Sequence, residues 1–498
     1  MDRNSSIRKR TSLLCLMDIV FCFMACGLYM RLHFSVDGFD IWMDESAAFH
    51  RMLRDGRPLG CLLWMLNGVL PFHPVRDSGI YVGVFIALSG VLAGCMTQRL
   101  MKYMRYTPAM LYIVNMGVLL TFVNGFINDW YGFPESMFSL YIPSMFFAFL
   151  AVAEGEKEGI LHKVLSLLFL IISYNSYPVV IGYYVFYMLL IIWLQQGGRI
   201  NRKSIGGVLT AMVSVMMTAI SNVLLMKVIA PNSPRYAQIS IGNLPETASQ
   251  VSRQAFKTLI DSNNQLPEYL FLSVLVMLTG IALAGLALAP AQEGKRKRIE
   301  QVLSLCIILA GGILCVYVPH LLTVPVWITN RTVVALFSVF AVLAAVIAFS
   351  VWNRLVEYTV AAVLTVFMLF NVYSVQNAAQ ELFAANAMQQ NMALQIQEEI
   401  KDYEEASGVK VKYIGFVDDL YPSWVYPFAT QTYCEQIPNS YTVSWNRLDC
   451  LNYYTGQQYE EIAPPDNIRI QFSGKNWDVF EADEQILYDG DIVYICVY

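Results

Sequence analysis

Between residues 37 and 59 the chain reads DGFDIWMDESAAFHRMLRDGRPL, which holds the carboxylates Asp37, Asp40, Asp44, Glu45 and Asp55 beside Arg51, Arg54 and Arg57. A carboxylate partly shielded from water can accept a proton from an alcohol as a general base. Arginines nearby can hold a phosphate through paired hydrogen bonds. These are the groups needed to move a sugar from a phosphate to a hydroxyl. Helical spacing organises them: if 37–54 is helical, Asp37, Asp40 and Asp44 follow i, i+3, i+7 on one face, which Arg51 continues. Phe49, Met52 and Leu53 gather on another face. The same charges would also suit a loop whose acids and bases merely solvate it or pair with one another. What surrounds the stretch has to separate the two readings.

The surroundings are membrane-like. The 498 residues are 56% hydrophobic, 13% aromatic and only 14% charged, with mean hydropathy +0.47, where soluble domains carry about 25% charge. Apolar runs fit to cross a bilayer lie near 11–31, 77–98, 108–124, 137–153, 161–174, 177–194, 204–229, 268–290, 300–320, 331–352 and 356–374. This predicts a polytopic α-helical protein of about eleven transmembrane helices. The basic head MDRNSSIRKR leads into an apolar body with no small-residue cleavage site, so the first run reads as a retained span. With the N-terminus inside, one set of connections collects seventeen basic residues, including Arg3, against ten on the other side. That bias orients the N-terminus to the cytoplasm and everything after 374 to the outside. The net charge of −5 points to no nucleic-acid partner, since acids and bases are segregated along the chain.

On this topology 32–76 is an outer loop. Its apolar piece GCLLWMLNGVLPFHP, 60–74, reads as a helix lying in or dipping into the interface, because a full span there would invert every later loop. The next outer connection, NGFINDWYGFPES, sets Asp129 and Glu135 among Trp130, Tyr131 and Phe133. Rings beside carboxylates suit a sugar, and an interfacial aromatic belt explains the rings equally well. Glu135 opens a span, where a charge is costly unless it has a function. The turn SYNSYP carries Asn175 and Tyr177, and Arg331 stands at the mouth of a later span. That arginine either grips an anionic lipid head or snorkels. The long loop 231–267, with Arg235, Arg253 and Lys257, has no sharper reading.

After 376 the composition changes. A polar helix-forming stretch leaves the membrane, and KVKYIGFV, NIRIQFSG and DIVYICVY have the β-branched and aromatic pattern of strands between turn signals. The expected division is a transmembrane domain, 1–375, and a small α/β domain on the outer face, 376–498. Seven of ten cysteines, Cys15, Cys22, Cys26, Cys61, Cys95, Cys306 and Cys315, lie in apolar segments as small hydrophobes. In the tail, Cys434 and Cys450 could pair or remain buried thiols. No Gly-rich phosphate loop, HExxH or paired CxxC is present. That argues against a nucleotide-driven pump.

The interval from Asp40 to GRPL, together with PESMFSLYIPSMFFAFLAV, SYNSYPVV and ITNRTVVALFSVFAV, resembles the type II serotype-converting glucosyltransferases of bacterial envelopes, which are membrane-embedded C-type glycosyltransferases. The likeness runs over about 30–350 with gaps. It implies transfer of a hexose, glucose or a relative, from a polyprenyl-phosphate donor to a cell-envelope glycan acceptor at the outer face of the bacterial cytoplasmic membrane. By this resemblance Asp40, backed by Asp44, takes the acceptor proton, and Arg57 and Arg331 stabilise the departing lipid phosphate. Asp129 and Glu135 orient sugar hydroxyls or hold a divalent cation, with Asp37, Glu45, Trp130 and Tyr177 lining the substrate. The competing expectations are a flippase or transporter of lipid-linked saccharide, a surface-polysaccharide polymerase or ligase, and a scaffolding protein in which the opening cluster is idle.

Overall fold

The computed structural model describes residues 3–231, 244–288, 295–322, 326, 328–351, 353–417, 440–475, 477 and 480–497. Arg235 and Cys434 lie outside the described residues, so a Cys434 to Cys450 pairing has no structural counterpart here. Cys450 itself is a buried thiol.

Nine described helices are long and apolar enough to cross a membrane: Thr11–Met30, Ser78–Met101, Pro134–Gly155, Pro178–Gln195, Ser204–Ile229, Leu270–Ala287, Arg296–Leu321, Asn330–Ser350 and Arg354–Ser407. Of the eleven expected runs, nine coincide with these long helices and two with the shorter apolar helices Pro108–Leu119 and Ile160–Ser176. The first of these has 12 residues and rises only about 18 Å, where a bilayer core is about 30 Å thick. It ends early because the chain leaves the helix at Leu120 and Asn124 caps the next turn, its side-chain oxygen accepting from Phe126 N and Ile127 N. The second stops at Ser176 because Tyr177 precedes Pro178, which disfavours helical backbone there.

Polar contacts gather at two ends of the bundle. At one end Arg99 Nη1 meets Glu156 Oε2 at 2.5 Å and Tyr103 donates to Glu156 Oε1 at 2.7 Å. At the other end the 32–76 segment meets 129–135, 175–177 and the start of the Asn330 helix, as described below. Pro178–Gln195 and Asn330–Ser350 run through the centre and are almost wholly buried, whereas only about a quarter of Ser204–Ile229 and of Leu270–Ala287 is buried. Small residues permit the central contacts. A Cβ placed on Gly117 would come within 2.5 Å of the Ala344 Cβ.

After α1 (Arg3–Cys26), which belongs to the bundle, three short helices lie at the second end: α2 (Gly38–Met43), α3 (Glu45–Arg54) and α4 (Pro58–Asn67). The continuous 37–54 helix is corrected: the backbone is extended at Asp44, φ −139° and ψ 97°, which separates α2 from α3. Asp44 caps α3 with its carboxylate, as Asp does at helix starts. α4 packs on α3 and on the first turns of the Pro134 helix while Leu62, Met65 and Leu66 stay about half exposed. One face of α4 is thus buried in the protein while an apolar face stays uncovered.

Arg354–Ser407 is a single helix of 54 residues, about 80 Å long at 1.5 Å per residue. The last span and the polar helix after it are one rod that passes unbroken through 375. It ends at Gly408, whose φ of 72° supplies the left-handed cap. Beyond it β1 (Tyr413–Val417), β2 (Glu460–Glu461), β3 (Ile486–Asp489) and β4 (Ile492–Cys496) form a sheet ordered β2-β1-β4-β3. β1 runs parallel to β2 and β4, and β3 is antiparallel to β4. Of the expected strands, NIRIQFSG is corrected to a helix, Asp466–Phe472. Strand alternation would bury Ile468, Ile470 and Phe472 together. The helix buries Ile468 and Phe472, four residues apart, and leaves Ile470 72% exposed.

This domain is fastened to the first loop. Asn386 on the rod accepts from Phe34 N at 2.8 Å and donates to Phe34 O at 3.3 Å. Phe34 stacks on Phe39 at 4.0 Å, and Tyr453 of the Arg447–Thr455 helix meets Phe34 at 4.8 Å and Trp42 at 5.0 Å. Such edge and stacked contacts contribute about 0.5–1.5 kcal/mol each beyond area burial.

Candidate functional site

The break at Asp44 folds α3 back across α2. Arg51, near the end of α3, thereby pairs with Asp40 and lies 2.6 Å from Asp37 Oδ1. All three side chains are less than a third exposed. The cluster that opens the sequence analysis is thus a compact unit in which one guanidinium lies against two carboxylates. Asp44 is spent differently: its carboxylate accepts from Ser46 Oγ and Ser46 N, each at 2.9 Å. Those bonds hold its carboxyl below the usual carboxylate range. Glu45 is half exposed, with its carboxylate 3.5 Å from His73 Nε2.

Glu135 stands behind this unit. It is buried, and its Oε1 accepts from Ser35 Oγ at 3.0 Å. Its Oε2 has no hydrogen-bond partner among the described residues, although the charges of Asp37 and Arg51 both act on it. A buried acceptor left open next to an arginine is the kind of group that a substrate hydroxyl satisfies.

On the other side of Glu135 the arginines and rings converge. Trp130 stacks on Tyr141 at 4.7 Å, and Tyr177 sets its edge against both, at 5.6 Å and 5.3 Å. The Arg57 guanidinium lies 5.0 Å from the centre of the Tyr177 ring, with Nη2 3.5 Å from Asp55 Oδ2. The Arg331 guanidinium lies 4.3 Å from the Phe133 ring. Arg57 thus reaches the ring cluster through Tyr177, and Arg331 reaches it through Phe133 and Trp130. The backbone of Arg331 is pinned twice, its N–H donating to Asp129 Oδ2 at 3.2 Å and its carbonyl accepting from Trp130 Nε1 at 3.0 Å. Asp129 and Trp130 therefore position an arginine. GRPL is held as well: Gly56, at φ 74°, offers its carbonyl to Asn222 Nδ2 at 3.0 Å, and that same nitrogen donates to Asn175 Oδ1 at 2.9 Å.

The C-terminal domain completes the front of the site. Asp40 N donates to Asn446 Oδ1 at 3.0 Å, and Trp445 Nε1 donates to Asp37 Oδ1 at 3.0 Å. Asp449, one helical turn on, is half-buried. Burial, with the nearby charges of Glu461 and Asp44, raises its carboxyl above the usual range.

All ten residues expected to form the site lie at this one end, with Asp37 and Asp40 joined through Arg51, and Arg57, Trp130, Tyr177 and Arg331 joined through the aromatic cluster. Glu135 borders both groups. Asp44 and Glu45 stand outside them, one capping a helix and the other half exposed. Sequence reasoning missed Ser35, Tyr141, Trp445, Asn446 and Asp449, and left Arg51 with no role beyond extending a face. The available signal was the cap Asp44-Glu45-Ser46, which turns the chain and brings Arg51 back to Asp40. Among the described residues no three or more His, Cys, Asp or Glu side chains are grouped to hold a metal ion. Asp129, through Oδ2, accepts from Arg331 N, and Glu135, through Oε1, accepts from Ser35 Oγ. Compared with known proteins, the chain matches no family model and no curated protein.

Proposed function

We propose that this protein is a membrane glycosyltransferase that moves a hexose, glucose or a close relative, from a polyprenyl-phosphate carrier to a cell-envelope glycan. In this reading the chain makes eleven passes through the bacterial cytoplasmic membrane, with its N-terminus inside and the site and C-terminal domain outside. The observation that supports it best is that Arg57 and Arg331 reach one aromatic cluster, through Tyr177 and through Phe133 and Trp130, at the same end as the Asp37, Asp40 and Arg51 unit. A lipid-linked phosphate keeps its tail in the bilayer and presents its anomeric carbon at the surface, so no nucleotide pocket is required.

The chemistry follows from the division of charge. Arg57 and Arg331 face the phosphate and stabilise the negative charge that grows on it as the glycosidic bond breaks. Tyr177 and Trp130 hold those arginines. Asp40 takes the proton of the acceptor hydroxyl as it attacks the anomeric carbon, with Arg51 fixing the orientation of the carboxylate. Glu135 accepts a hydroxyl of the transferred sugar through its open oxygen. Asp44 sets the corner that brings Arg51 to Asp40.

The test is to reconstitute the full chain in lipid vesicles with radiolabelled hexose on polyprenyl phosphate and count label in envelope glycan, beside a parallel reaction supplied with nucleotide-activated hexose. Transfer from the lipid donor alone, lost in Arg57→Gln, is expected. Transfer only from the nucleotide sugar, or none from either, contradicts the reading.

A further inference from the structure

We propose that the C-terminal domain carries the acceptor subsite, in which the open face of Trp445 stacks on a neutral or cationic sugar ring while Asp37 and Asp449 receive its hydroxyls. The inference rests on the glycosyltransferase reading and names the acceptor side of that same site.

Three observations carry it. Trp445 is 54% exposed although it belongs to a segment packed on the first loop. An indole left in water loses the burial that large rings normally gain. It is not idle, since its Nε1 is fixed to Asp37 Oδ1 and the Arg51 guanidinium lies 6.0 Å from its ring. Any ring resting on it is therefore delivered to the unit that contains Asp40. Second, Asn446 is fully buried and its Oδ1 is used by Asp40 N, yet its Nδ2 has no partner among the described residues. The two atoms of one amide are about 2.3 Å apart, so an unanswered donor stands beside Asp40, where buried polar groups are normally satisfied. A sugar hydroxyl can accept from it.

Third, the charge around Trp445 is one-sided. Asp37, Asp40, Asp44, Asp449 and Glu461 gather here against Arg51 and Arg447, and Arg447 is already committed to Glu461 at 2.6 Å. Surplus carboxylates accept hydroxyls well and repel carboxylated or phosphorylated sugars. The other side presents the guanidiniums of Arg57 and Arg331 over aromatic rings. The two subsites thus sort their substrates by charge, the lipid phosphate to Arg57 and Arg331 and an uncharged or amino-bearing glycan to Trp445.

The experiment titrates the full chain in nanodiscs with maltopentaose, chitopentaose and pentagalacturonate, reading saturation transfer to the sugar protons. At least one neutral oligosaccharide is expected to bind, with Trp445→Ala weakening it about tenfold or more and Trp445→Phe keeping most of the affinity, as for aromatic anchors at interfaces. Pentagalacturonate is expected to bind at least about tenfold more weakly, and Asp449→Asn to narrow the gap. Equal binding to Trp445→Ala, no binding by either neutral sugar, or equal binding of the acidic sugar overturns the proposal. Binding is read without turnover, so the two claims fail separately. Trp445-dependent binding without hexose transfer sinks the enzymatic reading alone, whereas transfer with an unchanged acceptor KM in Trp445→Ala sinks the subsite alone.

Discussion

Arg51 reaches back across the corner at Asp44 to pair with Asp40, and the same guanidinium lies 2.6 Å from Asp37. One cation thus serves two carboxylates drawn from the helix before the corner. Arg51→Met leaves both acids half-buried and unpaired, and the expected loss of stability is about 1–3 kcal/mol, between exposed and fully buried pairs. Thermal melting in detergent reads the stability, and hexose transfer should fall with it. Arg51→Lys should keep much of the stability but less of the transfer, because an ammonium cannot span both carboxylates in one plane. Equal melting of the methionine variant and wild type would contradict the pairing.

Asp44 is a helix cap, and Asp44→Ala should cost about 1 kcal/mol at neutral pH. Its folded carboxyl is held below the usual range by Ser46. The stability it adds is therefore present above the unfolded value and is lost as pH falls through the lower folded value. The melting difference between variant and wild type should shrink toward zero on acidification, and a constant difference from pH 7 to pH 3 would refute the cap.

Asp449 has the opposite sign. Burial and neighbouring acids raise its carboxyl, so its contribution is complete below the unfolded value and is lost as pH rises through the raised folded value. Asp449→Asn should leave melting unchanged at low pH and raise it at neutral pH. A variant that melts lower than wild type at pH 7 would contradict this.

Trp130→Phe removes the donor to the Arg331 carbonyl while keeping a ring beside Tyr141. The expected stability cost is about 0.5–1.5 kcal/mol, with a raised KM for the lipid donor and little change in KM for the acceptor. A shift confined to the acceptor would place Arg331 on the wrong substrate.

These relationships were unequally legible in the sequence. The long apolar helices, the helical character of the polar stretch after 376 and two of the strands follow from runs and alternation that are local in the chain. So does the association of Asp37 and Asp40, three residues apart. The corner at Asp44 was written in DES, a capping signal, but the i, i+3, i+7 spacing of the acids masked it. Asp129 and Trp130 were singled out as groups for a sugar, and their partner turned out to be the backbone of Arg331, about 200 residues away, which no local pattern encodes. Trp445 and Asn446 reach the first loop from more than 400 residues on. Docking of that kind depends on the length and direction of the 54-residue rod rather than on any motif.

The central claim is that Asp40 takes the acceptor proton. Asp40→Asn and Asp44→Asn are compared in membranes supplied with radiolabelled polyprenyl-phosphate hexose, at matched protein levels and melting temperatures. General-base catalysis is worth about 10²–10⁴-fold, so the Asp40 variant should lose transfer by that order while the Asp44 variant retains most of it. Full transfer by Asp40→Asn would contradict the mechanism.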